Sequence, residues 1–155
     1  MTAAVRSSQP GGSAMSNLDA LEVLAFALVS LTSRAIAAET RSRQLTFQQW
    51  RAIVVLGAAA APLRVSELGA RVAASPPSAS RIVRRLEAHD LVEVAPDPRD
   101  RRAVGVRLTP AGLDLRARVV ARRRELIRLA IGDAQARQPL PENAGRIVEA
   151  LSRLA

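Results

Sequence analysis

The 155-residue sequence contains no cysteine and only one histidine, His89. Without thiols the chain has no disulfide, no thiolate metal site, no iron–sulfur cluster and no thiol redox sensor. One histidine leaves too few converging ligands for a metal centre, so we expect neither a metal nor another cofactor. The absence of cysteine is also consistent with an intracellular protein.

Aromatic residues are scarce, and the three present are Phe26, Phe47 and Trp50. Proteins that read single-stranded nucleic acids stack the bases on aromatic side chains. All three residues lie on apolar faces of predicted helices, where Phe47 and Trp50 are expected to belong to the core. The composition therefore disfavours a single-strand binder.

Long apolar runs and catalytic motifs are also missing. The longest apolar run, 52–63, includes Pro62 and is shorter than the ~20 residues of a membrane span. Residues 1–13 lack the apolar core of a signal peptide, so we expect a soluble, cytoplasmic protein with no membrane partner. There is no Gly-rich phosphate loop, no His-Glu-x-x-His and no Gly-x-Ser-x-Gly motif, and we do not expect an enzyme.

Lysine is absent too, so the 23 basic residues are all arginine, and the formal net charge is +9. Residues 41–131 hold 18 arginines against 8 acidic residues, whereas the two ends together carry a charge of −1. A basic centre between neutral ends indicates contact with a polyanion, although a solvated arginine-rich surface has the same composition. Arginine suits phosphate because its planar fork can bind two oxygens at once.

Apolar spacing predicts a mainly α-helical fold with one small β-hairpin. Residues 1–16 are rich in Gly, Ser and Pro and are predicted to form a disordered arm, within which Met15 is an alternative start. Helices are predicted at 17–42, 47–60, 66–72, 76–89, 110–131 and from after Pro141 to Ala155. Strands are predicted at 91–94 and 104–108, joined by an overhanging charged loop. Thr46, Ser75 and Thr109 are the expected N-caps of three of the helices.

A helix, a short helix, a turn, a helix and a hairpin follow one another in the order of a winged helix-turn-helix. The major groove of DNA is about 12 Å wide and accepts one helix. A helix that exposes serine and arginine near its N-terminus can donate hydrogen bonds to bases and phosphates. A basic hairpin beside it can reach the minor groove, whose negative potential attracts arginine.

From about Leu18 to Leu154 the chain resembles the MarR family of bacterial regulators. Residues 65–87 are similar to the family's helix-turn-helix. More specific is the segment Asp97-Pro98-Arg99-Asp100-Arg101-Arg102 followed by Leu108-Thr109-Pro110-Ala111-Gly112, which matches the family's Asp-x-Arg wing and Leu-Thr-x-x-Gly helix start. The sequence departs from the family at Asp90, where glycine is usual, and at Val94, where many members have an arginine. Aspartate accepts the left-handed conformation better than most residues, so we expect the turn at Asp90 to be kept.

The resemblance implies a homodimer joined through its first and last helices, with the helix from Pro76 as the recognition helix. It implies three partners: a pseudo-palindromic DNA duplex, a second copy of the chain, and a small, often aromatic or phenolic, effector bound between the dimer region and the DNA-binding lobe. The expected organisation of residues 17–155 is a DNA-binding lobe at 45–109 flanked by dimerisation helices at 17–44 and 110–155.

Three groups of site residues are expected. The residues expected to contact DNA are Ser75, Pro77, Ser78, Ser80, Arg81, Arg84, Arg85, Arg99, Arg101 and Arg102. Two acidic residues, Asp97 and Asp100, are expected to brace the wing. The residues expected at the dimer interface are Leu18, Leu21, Leu28, Ile147, Leu151 and Leu154.

Simpler interpretations stand beside these assignments. Arg81 and Arg84 could also lie on a solvated helix face without contacting DNA. The three arginines at 122–124 are better explained as part of such a solvated face. Two other functions remain compatible with the sequence. One is a winged-helix protein–protein adaptor that no longer binds DNA, and the other is a nonspecific architectural DNA-binding protein.

Overall fold

The computed structural model describes residues 16–40, 45–97, 100–132, 137 and 142–152. Within them the chain forms six helices and one two-stranded antiparallel sheet, which confirms the predicted fold class. The elements in chain order are α1 (Asn17–Glu39), α2 (Phe47–Ala58), α3 (Val65–Arg71), α4 (Pro76–Glu87), β1 (Val92–Asp97), β2 (Asp100–Leu108), α5 (Pro110–Ile131) and α6 (Glu142–Ser152).

Side-chain caps fix where two of these helices begin. At α2, Gln49 N–H donates to Thr46 Oγ1 (3.2 Å) while Thr46 N–H donates to Gln49 Oε1 (2.8 Å), which is a reciprocal capping box. At α5, Gly112 N–H donates to Thr109 Oγ1 at 3.0 Å. Both N-caps are confirmed as predicted, and Pro110 occupies the first helical position, where its missing N–H costs nothing.

The core lies where α2, α3, α4, the hairpin and the first half of α5 meet. Its most fully buried large side chains are Ile53, Leu68, Leu86, Leu91 and Leu115. The C-terminal third of α1 joins this core through Ala35 and Ile36. The winged lobe (α2 to β2) is therefore packed directly against the two long helices α1 and α5.

The predicted burial of Phe47 and Trp50 on α2 is only partly correct. Trp50 is buried, but Phe47 is 39% exposed and Val54 is exposed as well. Successive helical residues advance by about 100°, which puts Phe47 and Val54 on one side of α2 and the buried Ile53 and Leu56 on the other. The apolar stretch of α2 runs around the helix, so the sequence does not show which side faces inward.

The hairpin is longer than predicted. Its strands pair from Val92 with Leu108 out to Asp97 with Asp100, with an irregularity after Pro96. Most of the expected overhanging loop is therefore paired strand. The outer part of this two-stranded ribbon projects from the core and has solvent on both faces. Apolar and polar residues therefore alternate only near the core, and the sequence pattern shows only that part of the strands. Leu63 extends the sheet by a single bridge to Val106 (3.0 and 2.8 Å), which the sequence pattern did not reveal.

Asp90 ends α4 in a left-handed conformation with φ 57°. Leu91 N–H donates to Leu86 O (2.9 Å) and Asp90 N–H donates to Glu87 O (2.8 Å), which is the Schellman arrangement usually completed by glycine. The conformation expected at this departure from the family pattern is confirmed.

The stability of variants at Asp90 should depend on how well the new residue accepts a positive φ. We expect Asp90→Gly to leave the free energy of unfolding unchanged or to raise it by up to about 1 kcal/mol. We expect Asp90→Val to lower it by about 1–2 kcal/mol, because a β-branched residue disfavours positive φ. Urea denaturation of the three proteins at one protomer concentration checks both values. Equal stability of the glycine and valine variants would contradict the backbone argument.

Helix α1 exposes much of its apolar surface. By length and composition alone, it could cross a membrane. Polar residues interrupt its apolar ones, so it contains no long apolar run of the kind considered in the sequence. One side of its C-terminal third, with Ala35 and Ile36, is nevertheless buried in the core described above, whereas Phe26 is 75% exposed near the other end. An apolar helix face left open on a folded domain is typical of a protein–protein interface.

Candidate DNA-binding site

The helix-turn-helix is formed by α3, α4 and the turn between them. The two helices pack closely because Gly69 faces Ala79, and a Cβ on Gly69 would lie 3.0 Å from the Cβ of Ala79. In the turn, Ala73 adopts φ 52° and Ala74 N–H donates to Gly69 O at 2.9 Å. These contacts fix the direction in which α4 leaves the turn.

Helix α4 has one buried and one solvent-facing side. The side chains of Ala79, Ile82, Val83 and Leu86 are buried against the rest of the lobe. At about 100° per residue, the opposite side presents Pro77, Arg81, Arg84 and Ala88, and all four are exposed. We call these four residues the outer face of α4. Three of these residues, Pro77, Arg81 and Arg84, lie in the first two and a half turns of α4, where a duplex can approach them.

The serines at the start of α4 occupy less prominent positions. Ser75 is exposed at the N-cap, but it makes no capping bond, and its hydroxyl donates to Ser78 Oγ at 3.0 Å. Ser78 and Ser80 are half-buried and lie on opposite flanks of the helix. Of these small residues, Pro77 thus lies on the outer face itself and Ser75 is exposed at the start of the helix.

The arginines of α4 carry uncompensated charge. Arg81, Arg84 and Arg85 are exposed, and none of them forms an ion pair with another described residue. The only intramolecular hydrogen bond of Arg84 among those residues is a long one, from its Nε to Ser80 O at 3.4 Å. Among the described residues, three guanidinium groups on one short helix thus have no carboxylate partner and can contact phosphates and base edges.

A cleft of about 220 Å³ separates the start of α2 from the flank of α4. It is lined by Thr46, Gln48, Gln49, Ser78, Arg81, Ile82 and Arg85. The sequence pattern identifies Thr46 only as an N-cap, and it does not single out Gln48 as a candidate site residue. Their place beside Arg85 follows from the packing of α2 on α4, which no local signal in the sequence shows.

The hairpin shows one of its arginines in an ion pair. Arg107 Nε lies 2.8 Å from Glu93 Oε1 across the two strands, so this guanidinium group is engaged within the hairpin. Val94, in place of the arginine common in the family, is 53% exposed. Arg99 lies outside the described residues, and so do the side chains of Asp97, Asp100, Arg101 and Arg102.

Residues 43–103 match the model of the MarR family, and they contain the whole helix-turn-helix and most of the hairpin. This match covers the winged lobe of the chain, and the members of the MarR family are transcriptional regulators. No curated protein matches it.

Solved structures resemble the chain over nearly its full length. RV1404 from Mycobacterium tuberculosis is 27% identical, with 88% of each chain covered and a TM-score of 0.67. A MarR-family transcriptional regulator from Silicibacter pomeroyi is 20% identical, with 90% of each chain covered and a TM-score of 0.61. BpsR from Bordetella bronchiseptica is 23% identical, with 94% of this chain and 97% of that one covered and a TM-score of 0.58. At the identities of the last two, the likeness concerns the fold alone.

A tight joint connects the end of α4 to the start of α5. Thr109 Oγ1 donates to Asp90 O at 2.6 Å and also accepts from Gly112 N–H. Gly112 lies so close to the preceding loop that a Cβ there would be 2.1 Å from Leu91 O. The end of α4 and the start of α5 are therefore held together through backbone contacts.

Four of the six residues expected at the dimer interface have side chains that the structure describes. Leu18 is 67% exposed and Leu28 is exposed, whereas Leu21 and Ile147 are half-buried. The side chain of Leu151 and the whole of Leu154 lie outside the described residues. None of the described four belongs to the fully buried core of the single chain.

Proposed function

We propose that this regulator is a cytoplasmic homodimer that binds a pseudo-palindromic duplex sequence-specifically and represses transcription until a small aromatic or phenolic ligand releases it. The observation that supports it best is the outer face of α4, which presents Arg81 and Arg84 to solvent with no carboxylate partner among the described residues. A groove about 12 Å wide accepts such a helix, and arginine is the commonest reader of guanine.

The hairpin supplies the second contact in this proposal. Arg99, Arg101 and Arg102 at the wing would approach the phosphate backbone or the minor groove, where negative potential favours guanidinium groups. Asp97 and Asp100 would brace the wing by pairing with arginine. Ser75, Pro77, Ser78, Ser80 and Arg85 complete the proposed contact set around α4.

The dimer is proposed from the apolar surface of the helices outside the winged lobe, 17–44 and 110–155. The exposed large apolar side chains there include Leu18, Val23, Leu24, Phe26, Val29, Leu129 and Val148. A patch of this kind on a soluble chain is usually covered by a partner, and a second copy places two recognition helices about one helical turn, ~10 bp, apart.

We expect Phe26→Glu to shift the chain from dimer to monomer, because a carboxylate would then be buried without a partner in the interface. Sedimentation velocity over a range of concentrations measures the shift. Arg51→Glu, at an exposed position of α2 in the winged lobe, makes a larger charge change outside the helices proposed for the dimer and is expected to leave the dimer intact. Dimerisation of Phe26→Glu at wild-type strength would place the interface elsewhere.

Ligand release is supported by one of the neighbours. The structure of BpsR is described as showing regulation of its DNA binding by 6-hydroxynicotinic acid. That compound is an aromatic acid with a hydroxyl group, the chemical type proposed here.

The sequence-specific interpretation is tested by selecting bound duplexes from random DNA. We expect a pseudo-palindrome to emerge and to bind more tightly than random DNA by about 10³-fold or more at fixed salt. Equal affinity for both would favour the architectural alternative, and no binding to either would favour the adaptor.

A further inference from the structure

The side chains on the outer face of α4 offer hydrogen-bond donors but no acceptors. Pro77 and Ala88 have apolar side chains, and the guanidinium groups of Arg81 and Arg84 only donate. The one carboxylate of α4, that of Glu87, belongs to a flank, about a quarter of a turn from the centre of the outer face at 100° per residue. A base edge that meets the outer face is therefore met by donors alone.

Guanine is the base that fits such a face. In the major groove guanine presents two acceptors, O6 and N7, whereas adenine presents an acceptor beside an amino donor, and cytosine presents an amino donor. A forked guanidinium group satisfies both guanine acceptors at once, but it leaves the amino group of adenine or cytosine without an acceptor. Arg81 and Arg84 are therefore suited to distinguish G·C pairs from the others.

The amide side chains that would read adenine lie elsewhere in the winged lobe. Asparagine and glutamine are the usual partners of adenine, and the lobe, residues 45–109, contains only Gln48 and Gln49. Gln49 is buried, and its Oε1 accepts from Thr46 N–H in the capping box. Gln48 lines the cleft between α2 and the flank of α4. Neither amide thus lies on the face that would meet the base edges.

Arg81 and Arg84 lie on opposite sides of the centre of the outer face, about 60° apart around the helix. Arg81 lies on the side of α2, where it lines the cleft with Arg85. Arg84 lies on the other side, where its Nε donates to Ser80 O at 3.4 Å. A helix in the major groove has one DNA strand beside each flank, so the two guanidinium groups face different strands. Their positions along the helix differ by about 4.5 Å, compared with ~3.4 Å for one base-pair step.

We infer that each half-site bound by α4 contains two G·C pairs whose guanines are on opposite strands, and that Arg81 reads one guanine and Arg84 the other. The spacing of the two arginines along α4 requires these pairs to be adjacent or one pair apart. The inference rests on the proposed function and deepens it, because it states which base pairs the recognition helix selects.

Two modified bases test this inference in the duplex selected from random DNA. 7-Deazaguanine still pairs with cytosine but has no N7 acceptor, whereas hypoxanthine keeps O6 and N7 and lacks only the minor-groove amino group of guanine. We expect 7-deazaguanine at either of the two guanines to weaken binding by about tenfold, and hypoxanthine there to weaken it by less than about twofold. Fluorescence anisotropy of the full chain at one salt concentration measures the dissociation constants.

Variants of α4 assign each guanine to its arginine. Arg84→Ala has already lost the contact with its guanine, so 7-deazaguanine at that position should cause no further loss in this variant. At the other guanine, 7-deazaguanine should still weaken its binding by about tenfold, and Arg81→Ala should show the reciprocal pattern. Arg124→Ala, at an exposed position of α5, is the control and should respond to both modified positions as the wild type does.

Two results would overturn the inference while leaving sequence-specific binding in place. One is a selected half-site that lacks two such G·C pairs. The other is an equal effect of 7-deazaguanine at both positions in the wild type, Arg81→Ala and Arg84→Ala, which would assign the contacts to other residues. Circular dichroism of each variant confirms that the helices are intact. If the selection yields no preferred sequence, the proposed function itself fails and the inference fails with it, so the two failures are distinguishable.

Discussion

Gly112→Ala is expected to lower the free energy of unfolding by about 3 kcal/mol or more, the upper range for overpacking a tight site. The added Cβ would lie 2.1 Å from Leu91 O, a distance that no side-chain adjustment can relieve, because the obstacle is backbone. Leu91 cannot move alone, since the adjacent Asp90 O accepts from Thr109 at 2.6 Å. Urea denaturation at a fixed protomer concentration measures the loss.

Gly145→Ala is the matched control for this substitution. Gly145 lies within α6, and a Cβ there would have no heavy atom within 4 Å. Alanine is preferred to glycine in a helix interior, so this variant is expected to be more stable than the wild type by about 0.5–1 kcal/mol. Similar stabilities of the two alanine variants would show that the joint between α4 and α5 is not the tight contact described above.

Arg84→Ala is expected to weaken binding to the selected duplex by about 1–3 kcal/mol while leaving affinity for random DNA almost unchanged. The guanidinium lies on the outer face of α4, where base edges would be within its reach. Fluorescence anisotropy at one salt concentration measures both affinities. Arg124→Ala removes the same charge from α5 and is expected to change neither.

Arg85→Ala and Arg99→Ala should behave differently from Arg84→Ala. Arg85 lies on the flank of α4 beside Gln48, where we expect it to contact a phosphate, and Arg99 is expected to do so at the wing. Each variant should lose affinity for selected and random DNA alike. The slope of log K against log salt concentration should decrease in magnitude by about 1, the contribution of one phosphate contact. A loss confined to the selected duplex would reassign these residues to base reading.

The sequence predicted features that depend on local chemistry. Thr46 and Thr109 were identifiable as N-caps because a hydroxyl precedes an apolar helical pattern, and the turn at Asp90 because few other residues accept positive φ. The outer face of α4 was also predictable, since its apolar residues recur at helical spacing and leave Arg81 and Arg84 on the other side.

Features that depend on packing between distant segments were not predictable. The ion pair of Arg107 with Glu93 requires the strand register, and the bridge of Leu63 to Val106 is too short to give a sequence pattern. The exposure of Phe47 depends on which side of α2 the lobe covers. Gly112 matched a family motif, but its contact with Leu91 appears only once α5 is folded against the end of α4.

The most direct test of DNA reading by α4 uses the absence of cysteine from this chain. Ala88→Cys, on the outer face, and Ala121→Cys, exposed on α5, each provide a single attachment point for an iron–EDTA cleavage reagent. With the selected duplex bound, we expect the reagent at position 88 to cut within the half-sites from the major-groove side and the reagent at position 121 to give little cleavage there. Absence of half-site cleavage from position 88, with binding intact, would contradict the assignment of α4 as the recognition helix.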